Sequence, residues 1–156
     1  MAVGNPIYSA YERRLFRQLR DKPLPRHVGV MLDGNRRWAR LRGADSAEGH
    51  QAGADNIANL LTWCEEVGVE VVTLWLLSTD NLSRDHEELE TLLAIIEKVV
   101  AELAETRRWR INPVGALELL PEATVERLNA AAAATSTVDG LLPGAGATGC
   151  GALSRR

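Results

Sequence analysis

The stretch VEVVTLWLL, residues 69–77, constrains the fold more than any other part of the chain. It is rich in β-branched and apolar side chains, so neither face of the strand it predicts can lie against water. A strand apolar on both faces belongs in the middle of a parallel sheet covered by helices. The flanking segments supply both strands and helices. Residues 5–20 predict a basic amphipathic helix, with Ile7, Tyr11, Leu15 and Leu19 four apart, broken by the two prolines of DKPLPR. HVGVML, residues 27–32, reads as a short buried strand ending at Asp33-Gly34. RRWARLRG reads as a short helix stopped by Gly43. A loop at 44–48 then leads into a longer helix whose apolar stripe, Ile57, Leu60, Leu61 and Cys64, closes near Gly68.

Beyond the central strand, Asp85 and Glu88 form a capping-box pattern. They open a helix with Leu89, Leu92, Leu93, Ile96, Val100 and Leu103 on one face. WRINPVG predicts a third strand, and a helix follows from about Pro121 to Ala134. The order is a helix, then β-α-β-α-β-α. It predicts an α/β fold, a central parallel sheet flanked by helices, with right-handed crossovers. Ligands of such sheets sit beyond the carboxyl ends of the strands. Two polar clusters, DGNRRW and STDNLSR, lie at those ends. The last stretch, from about residue 136, is rich in glycine and alanine and predicts an irregular tail. Its GAGATG, residues 144–149, matches the dinucleotide pattern GxGxxG but follows a proline rather than a strand. Too few residues follow it for a βαβ unit.

Charge is distributed unevenly. Residues 1–42 hold ten Arg/Lys against three Asp/Glu, while residues 43–156 hold eight against eighteen. The basic end is suited to steering an anionic ligand, with nucleic acid or a membrane surface as other candidates. Against nucleic acid, the whole chain is acidic and no basic run is interleaved with aromatics. Cys64 and Cys150 are the only cysteines and form no CxxC pair, which fits a reducing cytosol and argues against a zinc site. The start carries no apolar core of the length a secretory signal needs, and no run approaches a membrane span.

Asp33-Gly34-Asn35 admits two readings. One is a turn, since all three residue types favour turns. The other is a magnesium ligand, Asp33, followed by a backbone that can approach phosphate closely at a helix start. Arg36, Arg37, Arg40 and Arg42 add cationic donors suited to phosphate. Trp38 is either a core residue or part of a hydrophobic tunnel. His50 is either a capping or surface histidine, or a site residue if it faces Asp33. Ser78, Thr79, Asp80 and Asn81 either cap a turn or bind phosphate. Arg84 pairs with Asp80 or takes a second anion.

Together these motifs resemble the cis-prenyltransferase (isoprenyl diphosphate synthase) family. HVGVMLDGNRRWAR is similar to its first signature, GHQAGADNI to its G-H-x-x-G, and LWLLSTDNLSR to its S-[ST]-[ED]-N-x-x-R segment. Leu82 and Asp80 stand where longer-chain members usually carry Trp and Glu. STDNL is closer to short-chain, actinobacterial-type members. The resemblance implies condensation of an allylic diphosphate with isopentenyl diphosphate to a cis prenyl diphosphate. It implies that Asp33 holds Mg²⁺, that Gly34, Asn35, Arg36 and Arg37 cradle the allylic diphosphate, and that Trp38 and His50 complete the pocket. It further implies that Ser78, Thr79 and Asp80 line the site, that Asn81 assists proton removal and that Arg84 faces the second substrate. A cytoplasmic homodimer, with peripheral contact at the inner membrane, is a further implication. Family members run roughly 100 residues longer and carry an R-x-S-G-x-x-R-x-S cluster for isopentenyl diphosphate that has no counterpart here. Residues 1–135 are therefore expected to be the N-terminal part of such a domain, truncated before its second half. The alternative expectation is a diphosphate-binding subunit that needs a full-length partner.

Overall fold

The computed structural model describes residues 6–139 and the backbone of 142–147. Helix α1 (Pro6–Leu19) precedes strand β1 (His27–Met31), and three helices follow: α2 (Asn35–Arg42), α3 (Ser46–Asp55) and α4 (Ile57–Glu66). Strand β2 (Val71–Leu77) runs into a 3-10 turn, Thr79–Ser83, and then the long helix α5 (His86–Thr106). Strand β3 (Asn112–Gly115), helix α6 (Glu122–Ala134) and strand β4 (Leu142–Ala147) complete the order. All pairings are parallel, and the strands lie in the order β1-β2-β4-β3. The α/β class expected from the sequence is the one observed.

The central strand behaves as its composition requires. β2 pairs with β1 on one side, His27 opposite Val71, and with β4 on the other. Val72, Leu74 and Leu77 are buried. They share one apolar core with Ile57, Leu61 and Cys64 of α4, with the α5 stripe, and with Trp109, Ile111 and Leu128. α5 buries Leu92, Leu93, Ile96, Val99, Val100 and Leu103. This is the expected face with Val99 added and Leu89 only partly covered.

Four expectations change. The stretch read as an irregular tail contains β4, inserted between β2 and β3. The pattern GAGATG therefore begins inside a strand, and its last two residues lie outside the described residues. The helix expected after a loop at 44–48 starts earlier, at Ser46, where Asp45 caps the Glu48 N–H at 2.8 Å, and it is interrupted at Asn56. The capping box at 85–88 does not close. Asp85 accepts from the His86 N–H at 2.9 Å, and Glu88 turns away toward α3. A capping box forms instead between Ser78 and Asn81. Lastly, α1 is amphipathic as expected, yet it buries none of its residues.

Candidate active site

Two separated motifs meet because β1 and β2 are parallel neighbours: both release the chain at the same sheet edge. Asp33 follows β1 and Ser78 follows β2. Between them and α5 lies a cavity of about 830 Å³. Asp33, Gly34, Asn35, Arg36 and Arg37 line it from the first cluster, Ser78, Asp80, Asn81 and Arg84 from the second, and His50 from α3. Trp38 and Thr79 are not among its lining residues. Trp38 is 41% exposed and stacks under the Arg42 guanidinium, 4.8 Å from the ring centroid. The inner wall is apolar, formed by Leu92, Ile95, Ile96 and Val99 of α5 with Ile57 and Leu77. One end of the cavity is thus charged and the other oily, the shape needed by an anion attached to a hydrocarbon.

The turn after β1 requires glycine. Gly34 sits at φ 89°, a left-handed conformation that side chains other than glycine rarely adopt. Its N–H donates to Asp33 Oδ1 at 2.6 Å. No side chain caps the start of α2, so an open helix N-terminus lies on the cavity rim beside Arg36 and Arg37. Arg40, not in the resemblance-based set, also lines the cavity.

The GHQAG segment positions Asn35. A Cβ on Gly49 would lie 2.4 Å from the Asn35 carbonyl oxygen, and one on Gly53 would lie 2.6 Å from Asn35 Oδ1. The two glycines, one helical turn apart, let α3 cross α2 at close range, with Ala39 packed beside them. Between them, His50 Nδ1 lies 3.4 Å from the Asn35 amide nitrogen. That amide donates, which leaves the proton of a neutral ring on Nε2. Nε2 is buried and has no hydrogen-bond partner. Burial lowers the His50 pKa, the Arg84 and Arg36 cations lower it further, and Glu88 opposes them. The imidazole is therefore held neutral, with one unsatisfied donor.

Asn81 is committed locally. Its Oδ1 accepts from the Ser78 N–H at 2.7 Å and from Ser78 Oγ at 3.0 Å. Arg84 donates to Glu88 Oε1 at 3.0 Å rather than pairing with Asp80. Ser46 Oγ donates to the same oxygen at 3.3 Å. Ser46 and Glu88 were not singled out as site residues. Glu88 was hidden because its spacing from Asp85 mimics a cap.

Magnesium can be tested against this donor set. No group of three or more His, Cys, Asp or Glu among the described residues could hold a metal alone. Asp33 fits the other mode: one exposed carboxylate beside Arg36, Arg37 and an uncapped helix start, where the oxygens of a bound anion would complete the shell.

Comparison with known proteins identifies the family. Residues 31–142 match the profile of the prenyltransferase family described as "Putative undecaprenyl diphosphate synthase". The chain is 59% identical over 138 residues to a (2Z,6E)-farnesyl diphosphate synthase of Thermobifida fusca, covering 88% of this chain and 54% of that protein. It is 47% identical over 140 residues to a short-chain Z-isoprenyl diphosphate synthase of Mycobacterium leprae, covering 87% and 53%. The chain spans about half the length of the curated relatives it matches. Among solved structures, lavandulyl diphosphate synthase from Lavandula x intermedia, in complex with dimethylallyl diphosphate, superimposes with a TM-score of 0.75 at 24% identity. The superposition covers 83% of this chain and 56% of that one.

Proposed function

This chain belongs to the undecaprenyl diphosphate synthase family of prenyltransferases, and on that footing we propose that its cavity seats the diphosphate of an allylic substrate for condensation with isopentenyl diphosphate. The product is a short prenyl diphosphate with a new cis double bond. One observation carries the reading: two motifs over forty residues apart converge on one cavity that is cationic at its mouth and apolar within.

The reaction separates an allylic cation from its diphosphate and later removes a proton from the second substrate. Fixed positive charge at the leaving group lowers the first barrier in a water-poor site. Arg36, Arg37 and the uncapped start of α2 supply it, with Gly34 keeping the approach open. Asp33 is the residue that would hold Mg²⁺, which when bound neutralises diphosphate charge. His50 lines the cavity and holds the Asn35 amide in place. Arg84 reaches the cavity from the second cluster and serves the isopentenyl diphosphate side. Asn81 has its oxygen engaged by Ser78, and an amide is no base at neutral pH. Its part in proton removal is therefore to orient, through Nδ2, which has no hydrogen-bond partner among the described residues, rather than to accept the proton. The α5 wall, with Leu92, Ile95, Ile96 and Val99, receives the hydrocarbon.

A cytoplasmic protein in peripheral contact with the inner membrane, acting as a homodimer, completes the proposal. No helix among the described residues is long and apolar enough to cross a membrane.

Binding tests the site directly. The purified chain is expected to bind a thio-analogue of geranyl diphosphate in the presence of Mg²⁺. Asp33→Ala is expected to remove at least tenfold of that affinity and to abolish its Mg²⁺ dependence, measured by titration calorimetry. Retained Mg²⁺-dependent binding in Asp33→Ala means that the metal is held elsewhere. Turnover with isopentenyl diphosphate by the chain alone excludes the non-catalytic subunit. Turnover restored only by a co-expressed full-length relative supports it.

A further inference from the structure

Glu88 is not among the residues that line the cavity. It stands behind three that do. Its Oε1 accepts from Arg84 Nη1 at 3.0 Å and from Ser46 Oγ at 3.3 Å, and it lies 3.9 Å from His50 Nε2. Ser46 and His50 belong to α3, Arg84 to the junction before α5, and Glu88 to α5 itself. A single carboxylate oxygen therefore ties the two walls of the cavity together. The pairing is sheltered: the Arg84 side chain is 17% exposed and that of Glu88 28%.

The charges make the arrangement informative. A carboxylate close to an anion seat weakens anion binding by simple electrostatics, so its presence there needs another return. Arg84 is a long side chain with five N–H donors in a planar fork. Left free, it would lose rotamer entropy each time it closed on a phosphate. Glu88 holds one edge of the fork, and no other protein acceptor takes the rest among the described residues. The remaining donors are thereby aimed in advance. The same carboxylate lies 3.9 Å from the buried His50 Nε2, so it also faces the helix that forms the opposite wall.

We propose that Glu88 is a positioning residue: it preorganises Arg84 as a donor for the isopentenyl diphosphate, with Ser46 bracing the same carboxylate oxygen from α3. The proposal rests on the reading of the cavity as a diphosphate site. The test is a double-mutant cycle on the full chain, with inorganic pyrophosphate and isopentenyl diphosphate as probes. Glu88→Ala is expected to weaken binding of both about tenfold. Glu88→Gln, which keeps an acceptor oxygen at the same reach, is expected to restore affinity to within about threefold of the native chain. In an Arg84→Ala background, Glu88→Ala is expected to change nothing further, because its effect travels through Arg84. Unchanged or tighter binding in Glu88→Ala overturns the proposal, since the carboxylate would then act only as a like charge. An undiminished tenfold loss in the Arg84→Ala background also overturns it, since the role would then be merely structural.

A measurement on the native chain keeps the idea falsifiable should Glu88→Ala unfold. Hindered rotation of the Arg84 Nη groups, seen as resolved guanidinium signals by NMR, is expected. Free rotation there contradicts the proposal. If the native chain binds neither probe, the diphosphate reading fails. The guanidinium signals then still decide whether Glu88 holds Arg84.

Discussion

At the scale of single residues, Asn35 and His50 show how closely the site is built. Asn35 depends on the absence of atoms at Gly49 and Gly53, which flank His50 in α3. The two glycines should not respond alike to alanine. At Gly49 the added methyl meets backbone, which cannot swing aside, so Gly49→Ala is expected to cost about 1–3 kcal/mol of stability in urea denaturation. At Gly53 it meets only the Asn35 side-chain amide, which can rotate. Gly53→Ala should therefore leave stability nearly intact while weakening pyrophosphate binding several-fold. Equal stability losses in both would mean that the helices do not approach as described. His50 adds a pH dependence. Its folded pKa lies below the ordinary value near 6.5, so as pH falls below about 6.5 the unfolded chain gains a proton that the folded one refuses. Stability contributed this way is present at higher pH and is lost on acidification, down to the folded pKa. His50→Asn is expected to flatten the acid limb of the urea midpoint against pH. A native slope retained in the variant would show that the ring is not desolvated. The sequence suggested His50 and the arginines, but it was silent on Glu88, because Asp85-x-x-Glu88 has the pattern of a local cap. Only the packing of α3 against α5 gives that glutamate a different partner.

At the scale of elements, local pattern predicts formation well and burial less well. The α4 stripe is one success: Ile57, Leu61 and Cys64 are buried at helical spacing. Trp63, on the same helix, is 44% exposed and faces α1 across a groove. α1 carries the clearest amphipathic signature in the N-terminal region, yet Ile7, Tyr11, Leu15 and Leu19 are all exposed, at 77%, 57%, 39% and 39%. Periodicity states that a helix has an apolar face; it does not state what covers that face. Arg13 and Arg17 lie around the opposite side. Aromatic and aliphatic residues on one face with arginines on the other suit the headgroup boundary of an anionic bilayer. The proposed membrane contact accordingly predicts co-sedimentation with vesicles containing phosphatidylglycerol, decreasing as salt rises. Leu15→Glu is expected to reduce it at least tenfold. Equal partitioning onto neutral phosphatidylcholine vesicles, or no effect of Leu15→Glu, would argue against this face as the contact.

At the scale of the whole molecule, the least promising sequence occupies a central slot. LPGAGA contains no β-branched residue and includes Pro143, which brings no N–H to the ladder. Intrinsic propensity therefore placed the segment outside the sheet. What decides the matter is a property of the other strands. β2 and β3 are not neighbours, and each presents an inner edge of backbone N–H and C=O groups that need partners. β4 satisfies both edges, with Val71 opposite Leu142 and Asn112 opposite Gly144. No window of local sequence contains that requirement, because it arises only once α5 and α6 have carried the chain out and back. The consequence can be measured by ending the chain after Asp139. If β4 bridges the sheet, the shortened chain loses pairing on both of its sides at once. β3 and α6 are then uncoupled from β2. Thermal unfolding is expected to shift down by roughly 10 °C or more. The urea m-value should fall too, as the cooperative unit shrinks. Pyrophosphate binding should suffer less than stability, since the cavity lies at the ends of β1 and β2. A shortened chain with the native midpoint and m-value would show that residues 142–147 do not hold the sheet together.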